Sequence, residues 1–231
     1  MLVYGKNVVL EYLESNKKIN KAFLQNNFNN YEIINKIKER NIKVQTLNKF
    51  DMDKKVNGLH QGIVIDVEDY KYSCINEIIS DDDSLIVMLD HIEDPHNFGA
   101  IIRSCEAAGV NGIIIPLDRS VEVNATVIKT SVGTTEKMKI ARVTNLNQTI
   151  KMLKDKGYWI YGTDMNGTDY TKLDYRGKTC IVCGNEGFGM SKLTKENCDF
   201  IASIPMKGEV NSLNASVATA IIVFEAIRQR G

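Results

Sequence analysis

"LIVMLDHIEDPHNFGAIIRSCEAAGVNGIIIP", residues 85–116, contains an apolar run, a helical pattern and a second apolar run. The runs at 85–90 and 112–116 show no polar alternation, so both read as short strands covered on both faces. Between them the spacing predicts a helix near 97–108. Asp94-Pro95 marks a turn, and Asn97 reads as the N-cap. Phe98, Ile101, Ile102, Cys105 and Ala108 then share one face. The same alternation continues through "MKIARV" (138–143), "YWIYGTD" (158–164), "CIVCGNE" (180–186) and "FIASIP" (200–205). Helical patterns lie near 122–130, 146–155 and 212–229. Strands alternating with helices predict the α/β class, with a mostly parallel sheet covered on both faces.

Ligands of such sheets bind outside the carboxyl ends of the strands. Three strand ends run into loops rich in Gly, Asn, Ser and Thr: Thr163-Asp164, "GNEGFGMSK" (184–192) and "MKGEVNSLNAS" (206–216). Together they predict a pocket walled by backbone amides and small hydroxyls. The middle loop is not a phosphate-cradling P-loop. Gly184 and Gly189 have the spacing, but Met190 stands where the cation-bearing Lys belongs. It is not a dinucleotide fingerprint either, because the third Gly is missing and the loop comes late in the chain. Glu186 sits between glycines directly after an apolar strand. It reads either as an exposed turn carboxylate or as the partner of a cation, with Arg103 a candidate.

Two helices carry further signals. On 97–108, the face opposite the core stripe holds Gly99 and Arg103 one above the other. Ala100, Ser104 and Ala107 beside them are small, where a plain solvent face carries Lys and Glu. The last helix reads as starting with Ser212 as N-cap, and its first turn favours an electron-rich group. From Val217 to Phe224 it is apolar on almost every side, so it is either internal or covered by the sheet and a second subunit.

The chain has 231 residues and no formal net charge, which argues against a globally basic nucleic-acid binder but permits a local basic patch. No run approaches a membrane span, and "MLVYGKNVVLEYLES" has charges where a signal peptide is apolar, so the expected location is the cytoplasm. Five cysteines without a secretory signal read as free thiols. Cys180 and Cys183 have C-x-x-C spacing, but no second pair or nearby His completes a metal set; they read as small apolar residues of a buried strand, and no metal is expected.

Residues 1–70 read as a small α/β unit: helices in "KNVVLEYLES" and "YEIINKIKER", and strands near 21–24, at "IKVQT" and at "GIVIDV". Its eleven basic residues against nine acids give the chain's local basic surplus. Residues 71–83, with the acidic run Asp81 to Asp83, read as a linker or as a surface connection within one domain. The second unit is then 84–231.

Three segments in order resemble motifs of the SpoU-type, TrmH family RNA 2′-O-ribose methyltransferases of the SPOUT superfamily. They are N-x-G-x-x-x-R from Asn97 to Arg103, the strand and G-x-E-G-x-G of "IVCGNEGFG", and the segment Ile204 to Ala218. The resemblance covers roughly 85–231. The first unit, with "YGKNVVLEYL" and "HQGI" (60–63), is similar to the L30e-like substrate-binding domain of many members. The whole arrangement is most similar to members that methylate a guanosine ribose in the peptidyl-transferase loop of 23S rRNA. The resemblance implies a carboxyl-terminal trefoil knot, a homodimer, and S-adenosylmethionine held mainly by backbone at Thr163, Gly184, Ile204, Met206 and Leu213. It implies that Arg103 activates the ribose hydroxyl, that Glu186 orients Arg103, that Asn97 and Asn214 fix loops and ribose, and that Ser212 bonds the hydroxyl or caps the helix. An Arg stays protonated, which favours an electrostatic role over that of a general base. Lys129 reads as a phosphate contact or an ordinary surface Lys. His91 and His96 read as surface positions.

Overall fold

The structure is a computed structural model and describes residues 1–15, 17–56, 58–210 and 212–231. It divides into two compact units, Met1–Lys71 with Val123–Glu136, and Tyr72–Glu122 with Lys137–Gly231.

The first unit runs β1 (Leu2–Tyr4), α1 (Lys6–Glu14), β2 (Ile19–Gln25), α2 (Tyr31–Glu39), β3 (Val44–Leu47), α3 (Lys49–Lys55) and β4 (Ile63–Val67). Its four strands stand in the order β1-β4-β2-β3, with β2 and β3 parallel and both pairs involving β4 antiparallel. Asn30 and Asn48 cap α2 and α3 by accepting from backbone N–H groups of the first turn. Tyr4, Phe23, Met52, Val56 and Val64 form a buried cluster on one side.

The second unit runs β5 (Leu85–Asp90), α4 (Pro95–Ala107) and β6 (Gly112–Pro116). The chain then leaves for the first unit through α5 (Ala125–Thr130). It returns with β7 (Ile140–Val143), α6 (Leu146–Asp155), β8 (Trp159–Asp169), β9 (Thr179–Gly184), α7 (Lys192–Asn197), β10 (Phe200–Ser203) and α8 (Ala215–Arg230). The six strands are all parallel, in the order β10-β8-β9-β5-β6-β7. Every residue of β5 is buried, as an apolar run without alternation requires of a central strand. Ile86, Met88, Ile114, Ile150, Tyr158, Ile160 and Val182 pack into one core.

Several expectations change. The N-cap of α4 is Asp94, whose carboxylate accepts from the Asn97 N–H at 2.7 Å. Pro95, which has no N–H to leave unpaired, occupies the first turn, so the helix starts two residues early and Asn97 is free for other work. The N-cap of α8 is Asn214 rather than Ser212. The stretch 71–83 is no free tether. Ser73 pairs with Ala141, Ile78 is only 1% exposed, and the Ser80 N–H donates to the Tyr158 hydroxyl at 3.1 Å. The second unit is also discontinuous, because Val123–Glu136 belongs to the first. There the Lys129 ammonium donates to the Leu59 carbonyl at 3.3 Å and lies over the Tyr4 ring, so it is engaged within its own unit.

Candidate active site

The carboxyl ends of β8, β9 and β10 lie on one side of the parallel sheet. The chain leaving them encloses a cavity of about 430 Å³, within the roughly 300–1,000 Å³ of small-molecule sites. Each wall has a local cause. β10 pairs with Tyr161 and Gly162 and then skips to Thr168 and Asp169. Residues 163–167 lose that partner and bulge, and Thr163, Asp164, Met165 and Asn166 line the cavity. The second wall needs glycine. A Cβ on Gly184 meets the Gly189 carbonyl carbon and the Met190 nitrogen at 2.2 Å, so the returning chain fits only where there is no side chain. Asn185 and Gly189 then exchange two backbone hydrogen bonds, of 3.0 and 2.8 Å. The third wall comes from Ile204, Met206, Ser212, Leu213 and the first turns of α8.

All five residues expected at the cofactor, Thr163, Gly184, Ile204, Met206 and Leu213, line this one cavity, with Glu186 and Ser212. Asn97 and Asn214 do not line it but reach it through Glu186. One Glu186 carboxylate oxygen accepts from the side-chain amides of Asn97 and Asn214, both at 2.6 Å, and Asn214 also donates to the Asn97 carbonyl oxygen at 2.8 Å. The Ala215 N–H points at the same oxygen from 3.4 Å. The carboxylate thus sits between the first turns of α4 and α8, where both helix dipoles favour an anion. It is this network, and not an ion pair with Arg103, that holds Glu186. Arg103 is exposed and has no hydrogen bond or ion pair among the described residues. Its guanidinium is therefore available to an incoming ligand.

Further side chains set the loops, and sequence reasoning missed them. Asp90, the last residue of β5, is 1% exposed. One carboxylate oxygen accepts from the Ser191 N–H at 2.8 Å, and the other is tightly paired with the His91 ring. His91, expected at the surface, has a left-handed backbone (φ 61°), and its carbonyl accepts from the Asn185 side chain at 2.7 Å. The loop 185–191 is thereby clasped at both ends from β5. The signal was available: "LIVMLD" also ends in a polar residue, like the three strands that run into the polar loops. Asp164 pairs with Lys195 at 2.8 Å across the cavity wall. Burial alone raises the Asp164 pKa, but the Lys195 ammonium and the Asn166 N–H bring it below the ordinary carboxylate range. Burial pushes the Cys183 thiol up to about 11, so it stays protonated at neutral pH. No group of three or more metal-ligating side chains occurs among the described residues.

A family model described as the SpoU rRNA methylase family matches residues 84–224. The chain belongs to the SpoU rRNA methylase family. A second model, RNA 2′-O ribose methyltransferase substrate binding, matches residues 2–73 of this SpoU-family chain. A Staphylococcus aureus (strain MSSA476) protein named as a candidate TrmH family tRNA/rRNA methyltransferase is 40% identical, over 99% of this chain and 96% of its own. The similarly named YacO of Bacillus subtilis (strain 168) is 38% identical, over 99% and 95%. Among solved structures, the SpoU methyltransferase AviRb from Streptomyces viridochromogenes, in complex with the cofactor AdoMet, superposes with a TM-score of 0.85. It is 25% identical over 99% of this chain and 89% of that one. The SpoU-family chain is an RNA 2′-O-ribose methyltransferase with the α/β fold of that family.

Proposed function

We propose that this SpoU-family enzyme transfers a methyl group from S-adenosylmethionine to the 2′-hydroxyl of a guanosine in the peptidyl-transferase loop of 23S rRNA. The observation that carries the reading is the convergence of all five expected cofactor positions, with Glu186 and Ser212, on one cavity. The donor set fits the cofactor. Ile204, Met206, Leu213, Ala218 and Ile222 offer an apolar lining for an adenine ring, while Thr163, Asp164, Asn166 and Glu186 offer polar partners for hydroxyls and an amino-acid end. When bound, the cofactor supplies an electrophilic sulfonium methyl.

The protein's task is orientation and charge. The Asn97–Glu186–Asn214 network fixes the starts of α4 and α8 against the loop that lines the cavity. Arg103, less than two turns further along α4, holds an RNA phosphate and stabilises the alkoxide that develops on the ribose as the hydroxyl proton passes to solvent. Its guanidinium remains protonated throughout. The reading includes a trefoil knot at the carboxyl end, a first unit that binds RNA, a cytoplasmic location and a homodimer. Supporting the dimer, Val217 and Phe224 lie seven residues apart on one face of α8 and are 46% and 49% exposed. Val217→Glu is expected to yield monomers in sedimentation equilibrium; an unchanged dimer removes α8 from the interface.

Incubating the enzyme with labelled S-adenosylmethionine and total RNA from cells lacking the gene tests the whole reading. Label on 23S rRNA supports it. Label on tRNA transfers the same chemistry to another substrate, and label on no RNA overturns the catalytic role in favour of simple RNA binding.

A further inference from the structure

The first unit has a cavity of its own, of about 680 Å³, that the methyl-transfer site does not use. Three segments build it: the turn after β2 with Gln25, Asn27, Phe28 and Asn29; Lys6 of α1 with Lys49 and Asp53 of α3; and the loop 58–62.

Hydrogen bonds tie the loop to its surroundings. The His60 ring is buried, its Nδ1 accepts from the Gly62 N–H at 2.9 Å, and its Nε2 lies 2.9 Å from an Asp53 carboxylate oxygen. An acceptor at Nδ1 places the proton on Nε2, so a neutral imidazole satisfies both partners. Gln61 and Gly62 are both left-handed, with φ of 54° and 83°. The Gln61 side-chain oxygen accepts from the Lys6 N–H at 2.8 Å, capping a helix whose own N-cap, Gly5, has no side chain to do so. Gly62 lies so close to Phe28 that a Cβ there meets the ring at 3.0 Å. The ring itself is half-buried, with the Lys6 ammonium 5.8 Å from its centre.

The lining therefore offers an aromatic face held in place, side-chain amides from Gln25, Asn27 and Asn29, and two ammonium groups. The one acid among the described lining residues, Asp53, is already bonded to His60. Aromatic faces stack on unpaired bases, amides match base edges, and ammonium groups match phosphates. We propose that this cavity holds one unpaired nucleotide of the RNA substrate, its base on Phe28 and its phosphates on Lys6 and Lys49. The assignment rests on the reading of RNA as substrate. It makes these residues determinants of RNA affinity, not of methyl transfer.

Two disruptive variants and one conservative control test it, with in vitro transcribed 23S rRNA as the probe in filter binding. Phe28→Ala is expected to weaken RNA binding about tenfold, since stacking is worth roughly 1–3 kcal/mol per base; Phe28→Trp retains affinity. Lys49→Glu, at an exposed position on the rim, is expected to weaken binding and flatten its dependence on salt. In Phe28→Ala and Lys49→Glu, the Kd for S-adenosylmethionine and kcat at saturating RNA stay within about twofold of wild type, and circular dichroism melting confirms that the variants fold. If wild type binds the transcript and both folded variants bind it equally well, the nucleotide site is wrong. If wild type binds neither this transcript nor tRNA, the RNA reading itself fails, and this site with it.

Discussion

Asp90→Ala removes the Ser191 end of the clasp on the loop that carries Glu186. In the folded protein the Asp90 carboxylate satisfies the Ser191 N–H at 2.8 Å and is paired with the His91 ring, in a position 1% exposed. Losing a hydrogen bond to a charged group costs about 1.5–3 kcal/mol. The Ser191 contact alone therefore gives about 2 kcal/mol, and the His91 contact brings the expected loss to about 3 kcal/mol. For a chain of this size each kcal/mol lowers Tm by about 2–4 °C, which predicts a fall of about 6–12 °C. The loop 185–191 also lines the cofactor cavity. Ordering it then has to come from binding energy, and a shift of 1.4 kcal/mol is tenfold in Kd. Calorimetric titration with S-adenosylmethionine, well below Tm, is expected to show a Kd at least tenfold weaker. Asp90→Asn keeps an acceptor for Ser191 and is expected to lose about half as much stability. A Tm within 1 °C of wild type together with an unchanged Kd for Asp90→Ala refutes the clasp.

Arg103→Ala is expected to lower turnover more than tenfold, about 1.4 kcal/mol of barrier, with the cofactor Kd unchanged; a smaller loss in a methyl-transfer assay removes Arg103 from the chemistry. Gly184→Ala places a methyl 2.2 Å from the backbone of Gly189 and Met190 and must displace the loop. Overpacking of this kind costs about 1–3 kcal/mol, so calorimetry is expected to find both Tm and cofactor affinity reduced. Hydrogen bonds from Arg228 and Gln229 hold the Glu225 carboxyl down at about 2. A folded-state value below the unfolded one stabilises fully above about pH 4.5 and is lost as pH falls towards 2. The stability gap between wild type and Glu225→Gln, from urea melts across pH, is expected to close in that window; a constant gap disproves the linkage.

The strands at 85–90 and 112–116 and the helix at 146–155 were legible because each is a continuous run or a clear period bounded by turn residues. β1, with three residues, and α7, with six, are too short to show a period and went unseen. Helix starts were misjudged where two capping residues compete. Asp94 beside Asn97, and Asn214 beside Ser212, are equal by residue type, and tertiary contacts decide between them. The site was legible as a set of residue types at strand ends. Its wiring was not: Arg103 and Asn97 both offer N–H donors to Glu186, and the two helix starts that converge on it select the amides. The bulge at 163–167 depends on the register of β10, which local sequence does not encode.

The excursion Val123–Glu136 means that the chain crosses between the two units three times, at 71/72, 122/123 and 136/137. Neither unit can be excised as one uninterrupted peptide. A fragment ending at Lys71 lacks α5, whose Val127 and Ile128 are fully buried. Grafting a different amino-terminal domain onto this methyltransferase therefore requires changing an internal segment at the same time, and recombination at a single breakpoint produces a mismatched hybrid.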